Sequence, residues 1–123
     1  GIVPAIGGAW FLPRLVGYQR AAELTLTGRV IDAEEAHSLG LLLEVTEPED
    51  LLTRAWALAA AIAEKPPLAV RYAKQLMRMG QTQALGDHLE VCASYQSFCQ
   101  KPQDHQEALS AMLEKRSGNY NAR

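Results

Sequence analysis

Side chains able to do acid–base or nucleophilic chemistry are scattered along this sequence, and their spacing removes most familiar arrangements. None of Ser38, Ser94, Ser97, Ser110 and Ser117 lies in a Gly-x-Ser-x-Gly turn, so an activated serine of that kind is not expected. His37, His88 and His105 lack metal-ligand spacing, and Cys92 and Cys99 have no histidine at such a spacing either. No metal site is expected. The two cysteines are seven residues apart, which along one helix is about 10 Å, beyond disulfide reach. They read as reduced thiols packed as small apolar groups, which suggests a reducing, cytoplasmic setting.

The remaining polar candidates each have a plain alternative. His37 follows Glu34 by three, which could orient a base but is more commonly an exposed pair. Arg71, Lys74 and Arg78 share a helix face that could meet a phosphate or simply water. Lys115 and Arg116 follow a helical ridge of Ala108, Leu109, Met112 and Leu113, where cations complement the helix dipole without any ligand. Gly7-Gly8 is the most suggestive local feature. Placed after Pro4 and before a helix, it lets backbone approach a ligand and aims free N–H groups outward.

The elements that must position these groups are mostly helical. Caps and periodicity predict helices over 9–16 (broken near Pro13), 18–26, 33–39, from Pro48 to about 63, from Pro66-Pro67 to 79, over 83–99 and over 103–115. Asp32 and Glu35 have capping-box spacing, and Gly40 suits a left-handed helix end. Leu51, Leu52, Ala55, Leu58, Ala59 and Ile62 make an apolar stripe, as do Ala69, Ala73, Leu76 and Met77. Trp10-Phe11-Leu12 reads as core or as a subunit contact. Residues 117–123 look irregular.

Residues 41–46 form the one expected strand. A lone buried strand leaves N–H and C=O groups unpaired on both edges. Either residues 29–31 pair with it or a sheet outside these residues does, and the second is expected. The fold class is therefore mostly α with one or two short strands, incomplete on its own.

The chain has 123 residues, a formal charge of −2, 48% hydrophobic and 21% charged residues. That composition is globular, gives no electrostatic footprint for nucleic acid, and contains no apolar run near the ~20 residues of a membrane span. Neither nucleic-acid nor membrane partners are expected.

One ordered set of segments says more. Gly1-Ile2-Val3-Pro4, Gly7-Gly8, Leu12-Pro13-Arg14-Leu15-Val16-Gly17, Leu26-Thr27-Gly28-Arg29, Ile31-Asp32-Ala33-Glu34-Glu35-Ala36 and Leu39-Gly40-Leu41 closely resemble the enoyl-CoA hydratase/isomerase, or crotonase, family. Lys65-Pro66-Pro67, Asp104-His105-Gln106-Glu107-Ala108 and Glu114-Lys115-Arg116 continue the match to the end. The resemblance implies the C-terminal portion of the α/β ββα-spiral fold. Residues 1–47 would be the end of the core, with an acyl-pocket loop, short helices and the last strand. Residues 48–123 would be a helical region for oligomerisation and CoA contact.

By the same resemblance, Pro4, Ala5, Ile6 and Gly7 line the acyl pocket, and Met112 and Lys115 approach the adenine and phosphates of CoA, often in a neighbouring subunit. Family members more often carry an aromatic at the position of Met112. Ala5 stands where some isomerases carry a carboxylate, and a methyl group cannot transfer a proton. The main catalytic glutamate and the oxyanion-hole donors fall upstream of Gly1, so no catalytic residue is assigned within the chain. The implied function is part of an acyl-CoA enzyme of fatty acid metabolism, a lyase or isomerase working through a thioester enolate. Its substrate is the coenzyme A thioester, with no further cofactor, and its partners are further copies in a trimer or hexamer, or the missing N-terminal half. A non-catalytic CoA-binding or helical assembly module is the alternative.

Overall fold

The computed structural model describes residues 1–121, and they are organised as helices joined by short turns. The chain divides into two compact units, Gly1–Leu51 and Leu52–Arg123. The first contains α1 (Gly8–Val16), α2 (Tyr18–Thr27) and α3 (Ala33–Ser38), with α1 packed against α2. A 3-10 turn, Pro48–Asp50, leads into α4 (Leu51–Ala63). The second unit continues with α5 (Pro67–Met79), α6 (Leu85–Gln100) and α7 (Gln103–Glu114), with α5 packed on α6.

Local sequence accounts for most of these boundaries. Gly28 ends α2 in the left-handed region, its N–H returning to the Leu24 carbonyl. The Asp32 carboxylate accepts the Glu35 N–H at 2.8 Å, as the capping spacing requires. The reciprocal half of that box is diverted. Glu35 is taken instead by Arg29, whose guanidinium donates to Glu35 at 2.6 and 2.9 Å and to Glu23 at 2.6 and 3.0 Å. One forked cation thus ties α2 to α3 and holds both carboxyls below their usual range.

Three expectations are corrected. Residues 41–46 form no strand, and neither do 29–31; among the described residues no ladder is present. A strand exists only through its neighbour's hydrogen bonds, and these residues supply no neighbour. Pro13 does not break α1, which runs through it. Arg14 lies 3.8 Å over the Trp10 ring and donates to the Trp10 carbonyl at 2.8 Å, giving that turn side-chain support. Met77 is 68% exposed and faces out, whereas Ala69, Ala73 and Leu76 of the same stripe line a cleft of about 390 Å³ on α5, α6 and α7.

That cleft carries the aromatic cluster of the second unit, with Tyr72 and Tyr95 edge to face at 4.8 Å. Cys92 and Cys99 are free thiols, half-buried, and line the same cleft. His88 Nδ1 meets Gln83 Oε1 at 2.7 Å across the turn between α5 and α6.

The surface is more apolar than a finished domain allows. Among the described residues, Ala21 and Ala111 are the only buried apolar residues. Every residue of α4 is exposed, including Leu52, Trp56 and Ile62, although a helix apolar nearly all round belongs in a core. Two separate compact bodies of these sizes should expose roughly 7,800 Å² together. The chain exposes 9866 Å². The difference is of the order of a whole protein–protein interface.

Candidate functional site

The loop before α1 in the first unit is built by one glycine. Gly7 sits at φ +82° before α1, and its carbonyl accepts the N–H groups of Trp10 and Phe11 at 3.0 and 2.8 Å. A Cβ on Gly7 would stand 2.9 Å from the Phe11 ring. Backbone angle and ring together exclude a side chain here. Pro4, Ala5 and Ile6 are consequently thrown outward, Ile6 without any cover. Ile2 and Val3 continue that apolar edge. The loop offers methyl and methylene surface and backbone amide, with no titratable side chain between Pro4 and Trp10. It can bound an apolar group. It cannot move a proton.

Met112 and Lys115 belong to the second unit, where a cleft of about 370 Å³ brings them together with Lys65, Arg116 and Tyr120. Helix α7 ends in an unusual way. Lys115 takes the left-handed conformation, φ 54°, that glycine ordinarily occupies, and its N–H returns to the Met112 carbonyl while Arg116 N–H returns to Ala111. This kink carries the Lys115 side chain into the cleft lining. A non-glycine residue there costs about 1 kcal/mol. Lys115→Gly is therefore expected to raise stability by about that amount, read as an increased midpoint in thermal or urea unfolding.

Residues 117–121 are irregular, as expected, but firmly tied; residues 122 and 123 lie outside the described residues. Arg116 pairs with both Glu107 and Glu114. Glu107 also accepts the Asn119 N–H at 2.9 Å, and the buried Asp104 accepts the Asn121 N–H at 2.9 Å. The Arg116 guanidinium and then the Asn119 amide hold the Glu107 carboxyl down to about 2. A carboxylate depressed on folding stabilises the folded state fully above its ordinary value and loses that effect as it protonates. The anchoring of 117–121 is thus complete above pH 4.5 and fades as pH falls toward about 2. Amide exchange at Asn119 should accelerate relative to an unstructured peptide over that interval, and Glu107→Gln should remove the dependence.

The tail's anchoring was not legible in the sequence, where Asp104 and Glu107 read only as the polar start of a helix. Tyr120 was also missed, because a single aromatic in an irregular tail gives no periodic signal. His37 makes no hydrogen bond with Glu34, and no group of three or more His, Cys, Asp or Glu able to hold a metal occurs among the described residues. No helix among them is long and apolar enough to cross a membrane.

The chain, whose secondary structure among the described residues is helical, superposes on solved structures. It matches an enoyl-CoA hydratase from Bacillus anthracis with a TM-score of 0.96 at 36% identity, covering 100% of this chain and 48% of that one. It also matches DspI of Pseudomonas aeruginosa at 0.92 and 31% identity, covering 46% of that chain. The family model for enoyl-CoA hydratase/isomerase matches residues 1–123, and the chain belongs to that family. Among curated relatives it is 38% identical over 120 residues to a crotonyl-CoA hydratase of Syntrophomonas wolfei. It is 35% identical over the same length to a 1,2-epoxyphenylacetyl-CoA isomerase of Escherichia coli. In both cases it spans 98% of itself and 46% of the relative, so the chain covers about half the length of the proteins it matches.

Proposed function

We propose that these residues are the C-terminal part of an acyl-CoA-processing enzyme that hydrates or isomerises an enoyl-CoA through a thioester enolate. The observation that carries the reading is a full-length superposition on half of an enoyl-CoA hydratase, by a chain whose own apolar surface is left uncovered. The contribution of these residues is an acyl-pocket wall (Pro4, Ala5, Ile6, Gly7), a CoA-contacting cleft (Met112, Lys115) and assembly surface. By the family resemblance the principal acid/base and the oxyanion donors belong to other segments, and the loop offers only the Ala5 methyl where some isomerases place a second carboxylate. The coenzyme A thioester is the substrate, no further cofactor is required, and the assembly is a trimer or hexamer of completed subunits in the cytoplasm.

Calorimetric titration with CoA tests the binding half of this reading. Heat saturating at one site per chain is expected, weakened several-fold by Lys115→Gln and progressively by salt, since an exposed ammonium meets phosphate as a screened point charge. No heat, and no competition with an acyl-CoA, would remove it. A second reading, a CoA-binding or assembly module without chemistry, is favoured by Ala5 alone; it predicts the same titration with no turnover in any assembled form.

A further inference from the structure

Helix α5 has two unlike sides. Leu68, Ala69, Tyr72, Ala73 and Leu76 line the cleft shared with α6 and α7, which fixes the helix within the second unit. On the other side Arg71, Lys74 and Arg78 are exposed. Their helical spacing makes a row about 10 Å long, with neighbours about 5–6 Å apart. No Asp or Glu occurs over residues 65–86. Unlike Arg29 and Arg116, these cations make no ion pair and no side-chain hydrogen bond among the described residues.

Such a row recognises anions, and its surroundings narrow their class. Rows that grip nucleic acid interleave rings on which bases stack, whereas Tyr72 of α5 is turned into the cleft against Tyr95. A lipid surface takes an apolar helix face beside the charges, and that face of α5 is occupied by packing. Carboxylates on a protein surface remain.

The chain itself carries a matching set. No Lys or Arg occurs over residues 30–53, a stretch that contains Glu47, Glu49 and Asp50, all exposed. The Asp50 N–H donates to the Glu47 carbonyl at 3.0 Å and closes a 3-10 turn. That turn gathers the carboxylates within about 6 Å of chain, the spacing of adjacent cations on α5. None of these carboxylates has an ion pair among the described residues either.

We propose that copies of this chain meet with the 47–50 turn of one set against Arg71, Lys74 and Arg78 of the next. This rests on the assembly part of the proposed function and names the contact within it. The two surfaces differ, so the contact runs head to tail. Apolar side chains of α4 supply area without choosing a face, and opposed charges choose it.

Sedimentation equilibrium of the whole chain at low and high salt tests the pairing. One variant carries Arg71→Gln, Lys74→Gln and Arg78→Gln, a second carries Glu47→Gln, Glu49→Gln and Asp50→Asn, and a third combines them. The combined variant keeps the wild-type net charge, so global repulsion is controlled. Each single set should weaken self-association about tenfold at low salt and flatten its salt dependence. The combined set should be no weaker than either alone, as a shared contact requires. Helicity by circular dichroism checks that each variant folds. Effects that multiply to about a hundredfold would overturn the proposal, because the two sets would then have separate partners. An acidic set at wild-type strength beside a weakened cationic set would give α5 a different occupant and overturn it too. A cationic set equal to wild type, with association intact, would make that side of α5 solvent surface and leave the assembly reading standing. A wild-type chain that stays monomeric at every salt concentration would remove both together.

Discussion

At micromolar concentration the 123-residue chain is expected to associate with itself and to bind a hydrophobic dye, and charging α4 should reverse both. The expectation follows from a helix exposed from Leu51 to Ala63 with Trp56 at 73% and Leu52 at 70% exposure. Covering a large apolar side chain stabilises an interface by about 1.5–3 kcal/mol. Replacing two such groups, Leu52→Lys with Trp56→Lys, should therefore weaken self-association at least about a hundredfold. Sedimentation velocity reads the shift, and far-UV circular dichroism shows whether the helices persist. A wild-type chain that is a dilute monomer with no dye binding would mean that α4 needs no partner.

The second large effect concerns the glycine-fixed loop before α1. Gly7→Ala places a Cβ against the Phe11 ring in a backbone region hostile to L side chains. Left-handed strain and ring displacement together should cost about 2–4 kcal/mol. Trp10, in edge-to-face contact with Phe11 at 4.8 Å, is a reporter within the same turn. Its emission should change in the folded state, and the unfolding midpoint of the first unit should drop. The companion Ala5→Gly, on exposed surface, should change neither.

Sequence reading located the helices because their signals are local. Asp32, Gly28 and Gly40 mark ends through their own backbone preferences, and the stripe of α4 repeats within a few turns. The strand over 41–46 failed for the opposite reason: its apolar residues carry a strand-like pattern, but pairing depends on residues far away or not in the chain. Pro13 misled because the cost of one lost hydrogen bond is visible in sequence, whereas the Arg14–Trp10 support is not.

The candidate site divides along the same line. Gly7 could be singled out from its neighbours, and Met112 and Lys115 by resemblance. Lys65 and Tyr120 reach the same cleft only through tertiary structure, the tyrosine by way of carboxylates on α7 thirteen and sixteen residues earlier in its flanking hydrogen bonds. The Arg29 fork shows how a motif residue can be structural: it supports the corner between α2 and α3.

The most direct test of the account is a hydratase assay on two proteins. One is the 123-residue chain, and the other is a fusion that joins it to the part of the Bacillus anthracis enoyl-CoA hydratase that it does not match. The account predicts that the chain alone leaves crotonyl-CoA at its uncatalysed rate, while the folded fusion hydrates it. Turnover by the chain alone would contradict the account, and so would a folded, CoA-binding fusion that stays silent.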